Sequence, residues 1–205
     1  MRAPALRTMA ATSIALALTL TPMTTTMNAQ AQHTADPSKP AQSAAAPSAT
    51  HAHVVNSFHF EVIAPMSRVA PLFAPEAERA WAGENWNPIF LYPQPGRDIQ
   101  GAVWTIQHGD VHSVWVNTLF DIPNGRMQYV AFIPGHMVTT VEVHVTPINP
   151  TRTAVEVIYT RTALDPAANA DVQARGKADR LSGPEWQQGI EAALSIPRPE
   201  IREQR

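Results

Sequence analysis

The stretch AVWTIQHGDVHSVWVNTLFDIPNGRMQYVAFI, residues 102–133, decides the fold. It holds three runs rich in β-branched and aromatic residues, which are typical of strands. The joints between the runs, HGD at 108–110 and PNG at 123–125, contain Gly and Asn, which tolerate the positive φ of tight turns. The stretch therefore predicts three strands at 102–108, 111–121 and 126–133, each antiparallel to the next.

Strand-like runs of the same kind lie on both sides of this centre. They predict four further strands, at 54–64, 88–93, 139–147 and 153–163. Between the first two of these, the apolar residues of 66–81 recur at helical spacing but are interrupted by Pro75. Because proline disrupts a helix interior, this segment predicts two short helical pieces.

The sequence after Asp165-Pro166 changes to a helical pattern. Its spacing predicts one helix face made of Val172, Arg175, Ala178 and Leu181. A second helical piece restarts at Gly183-Pro184, since proline is tolerated in a first helical turn. A sheet with alternating faces needs a cover on one of them, and this terminal helix is the available cover. We expect an α+β fold in which a curved, seven-stranded antiparallel sheet surrounds a long carboxy-terminal helix, with two short helices after strand one.

Four stretches, in this order of elements, resemble the START-like or Bet v 1-like superfamily (SRPBCC, polyketide cyclase/dehydrase-like). They are APMSRVAPLFAPEAERAWAGENWNPIFLYP at 64–93, GAVWTIQHGDVHSVWVNTLFD at 101–121, AVEVIYTRTAL at 154–164 and GPEWQQGIEAAL at 183–194. The resemblance is one of overall pattern rather than of a catalytic motif. It implies a helix-grip fold with a largely apolar cavity between sheet and helix. Members bind lipids, sterols, plant hormones or polyketides, and a minority catalyse cyclisation or ring chemistry.

The amino terminus has the three parts of a secretory signal peptide. Arg2 and Arg7 supply positive charge, residues 10–20 form an uncharged apolar run, and small residues precede a cleavage site after Ala31. The apolar run is shorter than the roughly 20 residues of a membrane-spanning helix, and no later stretch is long enough either. We therefore expect a signal peptide at 1–31, a disordered linker at 32–52, a START-like domain at 53–197 and a flexible tail at 198–205. The mature chain would be periplasmic or secreted, without a transmembrane segment.

Charge and cysteine content limit the classes of partner. The chain has 15 Lys and Arg against 17 Asp and Glu, and removal of Arg2 and Arg7 with the signal leaves 13 against 17, a net charge of −4. The absence of a Lys and Arg cluster argues against nucleic acid or an anionic membrane surface as partner. With no cysteine, stability must come from an apolar core rather than from disulfides.

Strand alternation assigns side chains to the two faces of the sheet. We assign the sets that contain Trp104, Trp115, Tyr129, Val143 and Tyr159 to the concave face, because the opposing sets hold more charge. The set on 111–121 also contains Asn117 and Leu119. An aromatic wall with few polar groups is typical of a small-molecule pocket, and equally of an ordinary core. The candidate ligand-binding residues are Trp104, Trp115, Asn117, Tyr129 and Tyr159.

Other chemistry has little support in the sequence. The eight histidines are scattered and there is no Cys and no His-Glu-x-x-His spacing, so we predict no metal site and no cofactor. Glu76, Glu78 and Arg79 crowd one helical piece, where carboxylates are expected to cap turns or face water. No nucleophile elbow, phosphate-binding loop or dinucleotide fingerprint is present.

Three functional hypotheses remain open from the sequence. The first is an exported domain that binds a small hydrophobic molecule in its cavity. The second is a cyclase- or dehydrase-like enzyme in the same cavity, in which Tyr129, Tyr159 and Asn117 polarise a carbonyl. The third is a protein-interaction domain with a solid core. Ligand identity and oligomeric state are not encoded in any recognisable motif.

Overall fold

One curved antiparallel sheet organises residues 50–196, the part of the chain that the computed structural model describes. Its strands are β1 (His53–Val62), β2 (Ile89–Tyr92), β3 (Val103–His108), β4 (Val111–Asp121), β5 (Arg126–Ile133), β6 (Met137–Asn149) and β7 (Arg152–Ala163). They pair in the order β1-β7-β6-β5-β4-β3-β2. Both the seven predicted strands and their antiparallel arrangement are confirmed. The predicted signal peptide, most of the linker and the tail lie outside the described residues.

Short helices connect β1 to β2, and two longer helices follow β7. Helix α1 (Met66–Val69) continues into a 3₁₀ turn at Ala70–Phe73, and a second 3₁₀ turn at Ala77–Ala80 follows Pro75. The terminal helix is divided into α2 (Asn169–Asp179) and α3 (Gly183–Ser195), with Pro184 in the first turn of α3. The predicted interruptions at Pro75 and at Gly183-Pro184 are therefore both present. None of the helices within 50–196 is long and apolar enough to cross a membrane.

The buried face of α2 differs from the predicted one. Val172, Gly176 and Asp179 are buried, whereas Leu181 is 79% exposed. Gly176 allows close approach to β1, because a Cβ at this position would lie 2.9 Å from Cγ2 of Val54. The buried carboxylate of Asp179 pairs with Arg161 on β7, which turns this side of the helix toward the sheet.

The core lies on the concave face of the sheet. It joins phenylalanines of β1, Trp104 and Ile106 of β3, and the valines of β6 and β7 to Phe73 and Ile190. Strand β4 departs from simple alternation because its register with β5 shifts between Asn117 and Leu119. Beyond this bulge Phe120 packs against the core, so it takes the concave position that alternation predicted for Leu119.

The residues just before β1 form hydrogen bonds with the end of β7 and the start of α2. The amide of Ala52 donates to Asn169 Oδ1 at 2.7 Å, and Asn169 Nδ2 donates to the carbonyl of Thr50 at 2.8 Å. His51 Nδ1 lies 3.0 Å from the carbonyl of Ala163. The last residues of the predicted linker thus add hydrogen bonds between the amino terminus of β1 and the start of α2.

Candidate functional site

A cavity of about 260 Å³ lies between the sheet and the segment that precedes β2. Strands β4 to β7 supply its floor, and the segment 78–86 with the first turn of α3 supplies its walls and mouth. The chain has five tryptophans, and four of them line this one cavity. The lining side chains are Glu78, Trp81, Trp86, Trp115, Tyr129, Val141, Val143, Tyr159, Glu185 and Trp186.

Three of the four tryptophans are held by hydrogen bonds from their indole N–H groups. Nε1 of Trp81 donates to the carbonyl of Leu72 at 2.7 Å, and Nε1 of Trp86 donates to the carbonyl of Pro75 at 2.8 Å. Nε1 of Trp115 donates to Ser113 Oγ at 2.9 Å. Because the polar edge of each ring is already occupied, these side chains contribute ring surface rather than hydrogen bonds to the cavity.

The rings meet in edge-to-face pairs. The centroids of Trp81 and Trp186 are 5.1 Å apart at 64°, and those of Trp86 and Trp115 are 5.4 Å apart at 79°. In such a pair the ring that contributes its edge keeps both faces free of its partner. The walls therefore present aromatic faces that a bound molecule can contact.

Glu78 is the buried acidic group of the cavity, with 7% of its surface exposed. In the 3₁₀ geometry around Ala77–Ala80, residues three apart share a face. Glu76 and Arg79 occupy the outer face, where they form an ion pair of 2.8 Å, and this leaves Glu78 directed inward. The expectation that Glu78 faces water is therefore wrong, because the register of this short helix was not readable from the sequence.

Burial changes the protonation of Glu78. Loss of water contact raises the pKa of its carboxyl well above the usual value, and the negative charge of Asp98 raises it further. The pKa of Asp98 is itself raised, mainly by burial, although a hydrogen bond from the backbone amide of Glu76 opposes that effect. The environment thus favours a neutral carboxylic acid at Glu78, which is able to donate a hydrogen bond.

The hydroxyl groups of the two tyrosines in the cavity differ in whether they already donate a hydrogen bond within the protein. The hydroxyl of Tyr129 donates to the backbone carbonyl of Phe73, so it is already engaged. The hydroxyl of Tyr159 makes no hydrogen bond within residues 50–196. Removal from water raises the pKa of Tyr159, and nearby Arg161 only partly opposes this, so the hydroxyl stays protonated and free to donate.

The predicted site residues fall into two groups. Trp115, Tyr129 and Tyr159 line the cavity. Trp104 lies behind it, completely buried and stacked at 6.1 Å on Trp115. Asn117 is 1% exposed, and its Nδ2 donates to the carbonyl of Ile99 at 3.0 Å, so it secures a loop instead of reaching the cavity.

Sequence reasoning missed Glu78, Trp81, Trp86 and Trp186 as lining residues. Alternation locates only strand residues, and these four lie on helical turns or in a loop. A usable signal was present all the same: three of the chain's five tryptophans occur outside the predicted strands, near the ends of short helices.

A second cavity of about 360 Å³ adjoins the first and shares Trp86, Trp115 and Tyr159 with it. Arg161 lies at this end, with its guanidinium carbon 4.7 Å from the centre of the Tyr159 ring. Nε and Nη2 of Arg161 donate to the two carboxylate oxygens of Asp179 at 2.8 and 2.7 Å. Its positive charge is therefore neutralised inside the protein.

Metal ligands do not converge in the described part of the chain. Within residues 50–196, no three His, Asp or Glu side chains are placed to hold a metal ion together. Two of its histidines pair with single side chains instead, His136 with Asp171 at 2.8 Å and His112 with Gln107 at 2.9 Å.

The curved seven-stranded antiparallel sheet with its carboxy-terminal helix defines the fold, which is a helix-grip α+β fold of the Bet v 1-like kind. Among solved structures, norcoclaurine synthase from Thalictrum flavum, in complex with dopamine and hydroxybenzaldehyde, superimposes with a TM-score of 0.52. It is 10% identical, and the match covers 73% of this chain and 91% of the synthase.

Two further matches are proteins without a stated function. One, from Helicobacter pylori, has a TM-score of 0.53 and 12% identity, with 73% of this chain and 91% of that chain covered. The other, from Rhizobium leguminosarum, has a TM-score of 0.50 and 17% identity, with 71% and 96% covered. No family model and no curated protein matches the sequence. At these identities the likeness shows the fold alone.

Proposed function

We propose that the protein is an exported binding protein that holds a small hydrophobic molecule in the aromatic cavity. The observation that carries this proposal is the placement of four of five tryptophans around one space of about 260 Å³. Cavities of a few hundred cubic ångströms, lined by aromatic groups with a few polar ones, are typical of small-molecule sites.

The cavity also argues against a solid-core interaction domain. Its volume is several times the roughly 30 Å³ that one water occupies in the liquid. A domain selected only for stability gains by filling such a space with its own side chains, because the added contacts stabilise the fold. Retention of the space is therefore better explained by an occupant.

A direct test uses the uncharged fluorescent probe N-phenyl-1-naphthylamine. We expect saturable binding with enhanced probe emission, and loss of most of that binding in Trp186→Leu. Tyr92→Leu is the matched control, because Tyr92 is 56% exposed on edge strand β2 and does not line the cavity. Native mass spectrometry of protein purified from its own host should show bound mass. An empty spectrum together with no probe binding would overturn the proposal.

A second candidate function is acid catalysis, and the observation that favours it is the buried carboxyl of Glu78. In its neutral form this group is able to protonate the oxygen of a bound carbonyl compound, while water removes a proton from the adjacent carbon to give the enol. The earlier choice of Tyr129 and Asn117 for this role is not supported, because both groups already donate to backbone carbonyls. Tyr159 remains as a second donor.

Exchange of the methylene protons of phenylacetone in deuterated water measures this reaction by NMR. If Glu78 is the acid, Glu78→Gln should slow enzyme-dependent exchange by about 10²-fold or more, while binding of N-phenyl-1-naphthylamine is retained. Equal exchange by both proteins would remove Glu78 from any such role and leave the binding function standing.

Export is the remaining part of the proposal. It is supported by the charged start, the apolar run at 10–20 and the small residues before Gln32. When the full chain is expressed with its own amino terminus in a bacterial host, we expect the periplasmic fraction to hold protein that begins at Gln32. Retention of residues 1–31 on a cytoplasmic product would contradict it.

A further inference from the structure

We infer that the aromatic cavity selects a protonated organic amine over neutral and anionic molecules of the same shape. This rests on the proposed binding function and specifies its substrate class. The two carboxyl groups that line the cavity belong to Glu78 and Glu185, and none of the lining residues within 50–196 is basic.

The aromatic walls suit a cation. The face of an aromatic ring carries partial negative charge and attracts ammonium groups, and tryptophan does so most strongly. Four tryptophans contribute to this lining, whereas the ring of Tyr159 already holds the guanidinium of Arg161 over its face at 4.7 Å. Trp81 meets Trp186 and Trp86 meets Trp115 edge to face, at 5.1 and 5.4 Å, so the ring that contributes its edge in each pair keeps both faces free of the other. A neutral ligand would gain contact area from these rings, whereas an ammonium gains that area and the electrostatic attraction.

The carboxyl groups are placed at the two ends of an entry path. Glu185 lies exposed in the first turn of α3, where it gives the mouth a negative charge. Glu78 lies buried inside, and Asp98 adds negative potential around it. An ammonium is attracted by the charge of Glu185 at the mouth, and by Glu78 inside once that carboxyl has released its proton.

The two arginines nearest to Glu78 in the chain or in the cavity region are paired with other carboxylates. Arg79, its neighbour along the chain, pairs with Glu76 at 2.8 Å and also donates to the carbonyl of Pro88. Arg161, beyond Tyr159, is neutralised by Asp179 at 2.7 Å. Glu78 therefore lacks a positive partner among residues 50–196, and an amine ligand would supply one.

Binding of an ammonium should be coupled to the release of a proton. Burial raises the pKa of Glu78 in the empty cavity, and Asp98 raises it further. A bound ammonium would favour the carboxylate, so its arrival displaces the carboxyl proton. The titratable groups that surround Glu78 are Asp98, Tyr129, Tyr159 and Glu185, and the two tyrosines stay protonated in the relevant range. Affinity for the amine should therefore rise with pH until the amine itself loses its proton.

The test compares three ligands that share a phenyl ring and a three-carbon chain: 3-phenylpropylamine, 3-phenylpropan-1-ol and 3-phenylpropanoate. Each competes with N-phenyl-1-naphthylamine, and each is followed by calorimetry across pH 5 to pH 8, at each pH in two buffers of different ionisation enthalpy. We expect the amine to bind at least tenfold more tightly than the alcohol and the propanoate least tightly. The apparent enthalpy of amine binding should differ between buffers, because a proton is released.

Two variants test whether the carboxyl groups cause the preference for the amine over the alcohol. Glu78→Gln should reduce the preference of amine over alcohol to within about threefold and abolish the buffer dependence. Glu185→Gln, at the exposed mouth, should weaken amine binding by two- to threefold without affecting the fold. Glu191→Gln is the control, because it removes the same charge from an exposed position on α3 outside the cavity and should leave the preference unchanged.

The outcomes separate this inference from the function on which it rests. Probe binding with equal affinity for the amine and the alcohol would keep the binding function and overturn the amine preference. An unchanged preference in Glu78→Gln and Glu185→Gln would also overturn it. Absence of binding by the probe and by all three ligands would overturn the binding function itself.

Discussion

At the scale of the single residue, the polar groups in and near the cavity differ in whether their donor atoms already make hydrogen bonds within the protein. Tyr129 and Asn117 donate to backbone carbonyls and so belong to the framework. Glu78 and Tyr159 have no hydrogen-bonded partner for their side-chain oxygens within 50–196 and so are free to act on a ligand. Burial of a polar group without a partner and loss of a buried hydrogen bond both lower the free energy of unfolding, so Glu78 and Tyr129 should each have a measurable effect on stability.

Replacement of Glu78 by Gln should change the pH dependence of stability. The folded state holds the pKa of Glu78 above its unfolded value, so unfolding releases a proton between those two pKa values. The free energy of unfolding of the native protein should therefore fall as pH rises above about 4.5, whereas the variant lacks this contribution. Urea unfolding at pH 4 and pH 8 measures it. Parallel pH profiles for the two proteins would show that Glu78 is not buried as an acid.

Replacement of Tyr129 by Phe should destabilise the fold. It removes the donor to the buried carbonyl of Phe73 and leaves that carbonyl unsatisfied, at a cost of about 1–3 kcal/mol. The sequence-based hypothesis assigned the Tyr129 hydroxyl to a bound carbonyl, whereas in the structure it donates to the backbone of the protein itself. Thermal unfolding followed by circular dichroism gives the value, with exposed Tyr92→Phe as the control. A melting temperature equal to that of the native protein would contradict the assigned hydrogen bond.

At the scale of the element, one ion pair joins the terminal helix region to the sheet. Arg161 of β7 and Asp179 of α2 are 13% and 9% exposed at their side chains and make two hydrogen bonds to each other. Arg161 also donates to Thr139 on β6 at 3.0 Å. The helix thus contacts two strands through one guanidinium group, close to the second cavity. This placement explains why α2 turns Asp179 inward.

Replacement of Asp179 by Asn should loosen this end of the molecule. It leaves the buried charge of Arg161 without its counterion, which costs about 3 kcal/mol or more. Asp171→Asn on the same helix is the matched control, because its pairs with Arg175 and His136 are more than one-third exposed and contribute about 1 kcal/mol or less. Urea unfolding of both variants gives the comparison. Equal losses from the two substitutions would show that α2 is not anchored through Arg161.

At the scale of the whole molecule, the features that could be predicted from the sequence are those that depend on residues close together in the chain. Alternating residues and turn glycines specify strands, so β4 and β5 have the predicted bounds and the antiparallel order follows. The cavity depends on contacts between distant parts of the chain. Trp81 and Glu78 reach it only because the segment before β2 folds over the sheet, and no periodic pattern encodes that contact. The bulge at Asn117 and Leu119 likewise escapes a prediction based on strict alternation.

The curvature of the sheet leaves space above β6, and this predicts opposite responses at two neighbouring valines. Val143 lines the cavity, while Val145, two residues along the same face, is equally buried in the packed core. Val143→Phe should fill the space, keep or raise the melting temperature and weaken binding of N-phenyl-1-naphthylamine at least tenfold. Val145→Phe has no such space and should cost about 1–3 kcal/mol through overpacking. The contrast matters because a solid core would penalise both substitutions alike, whereas an enclosed ligand site penalises only the one that lacks room.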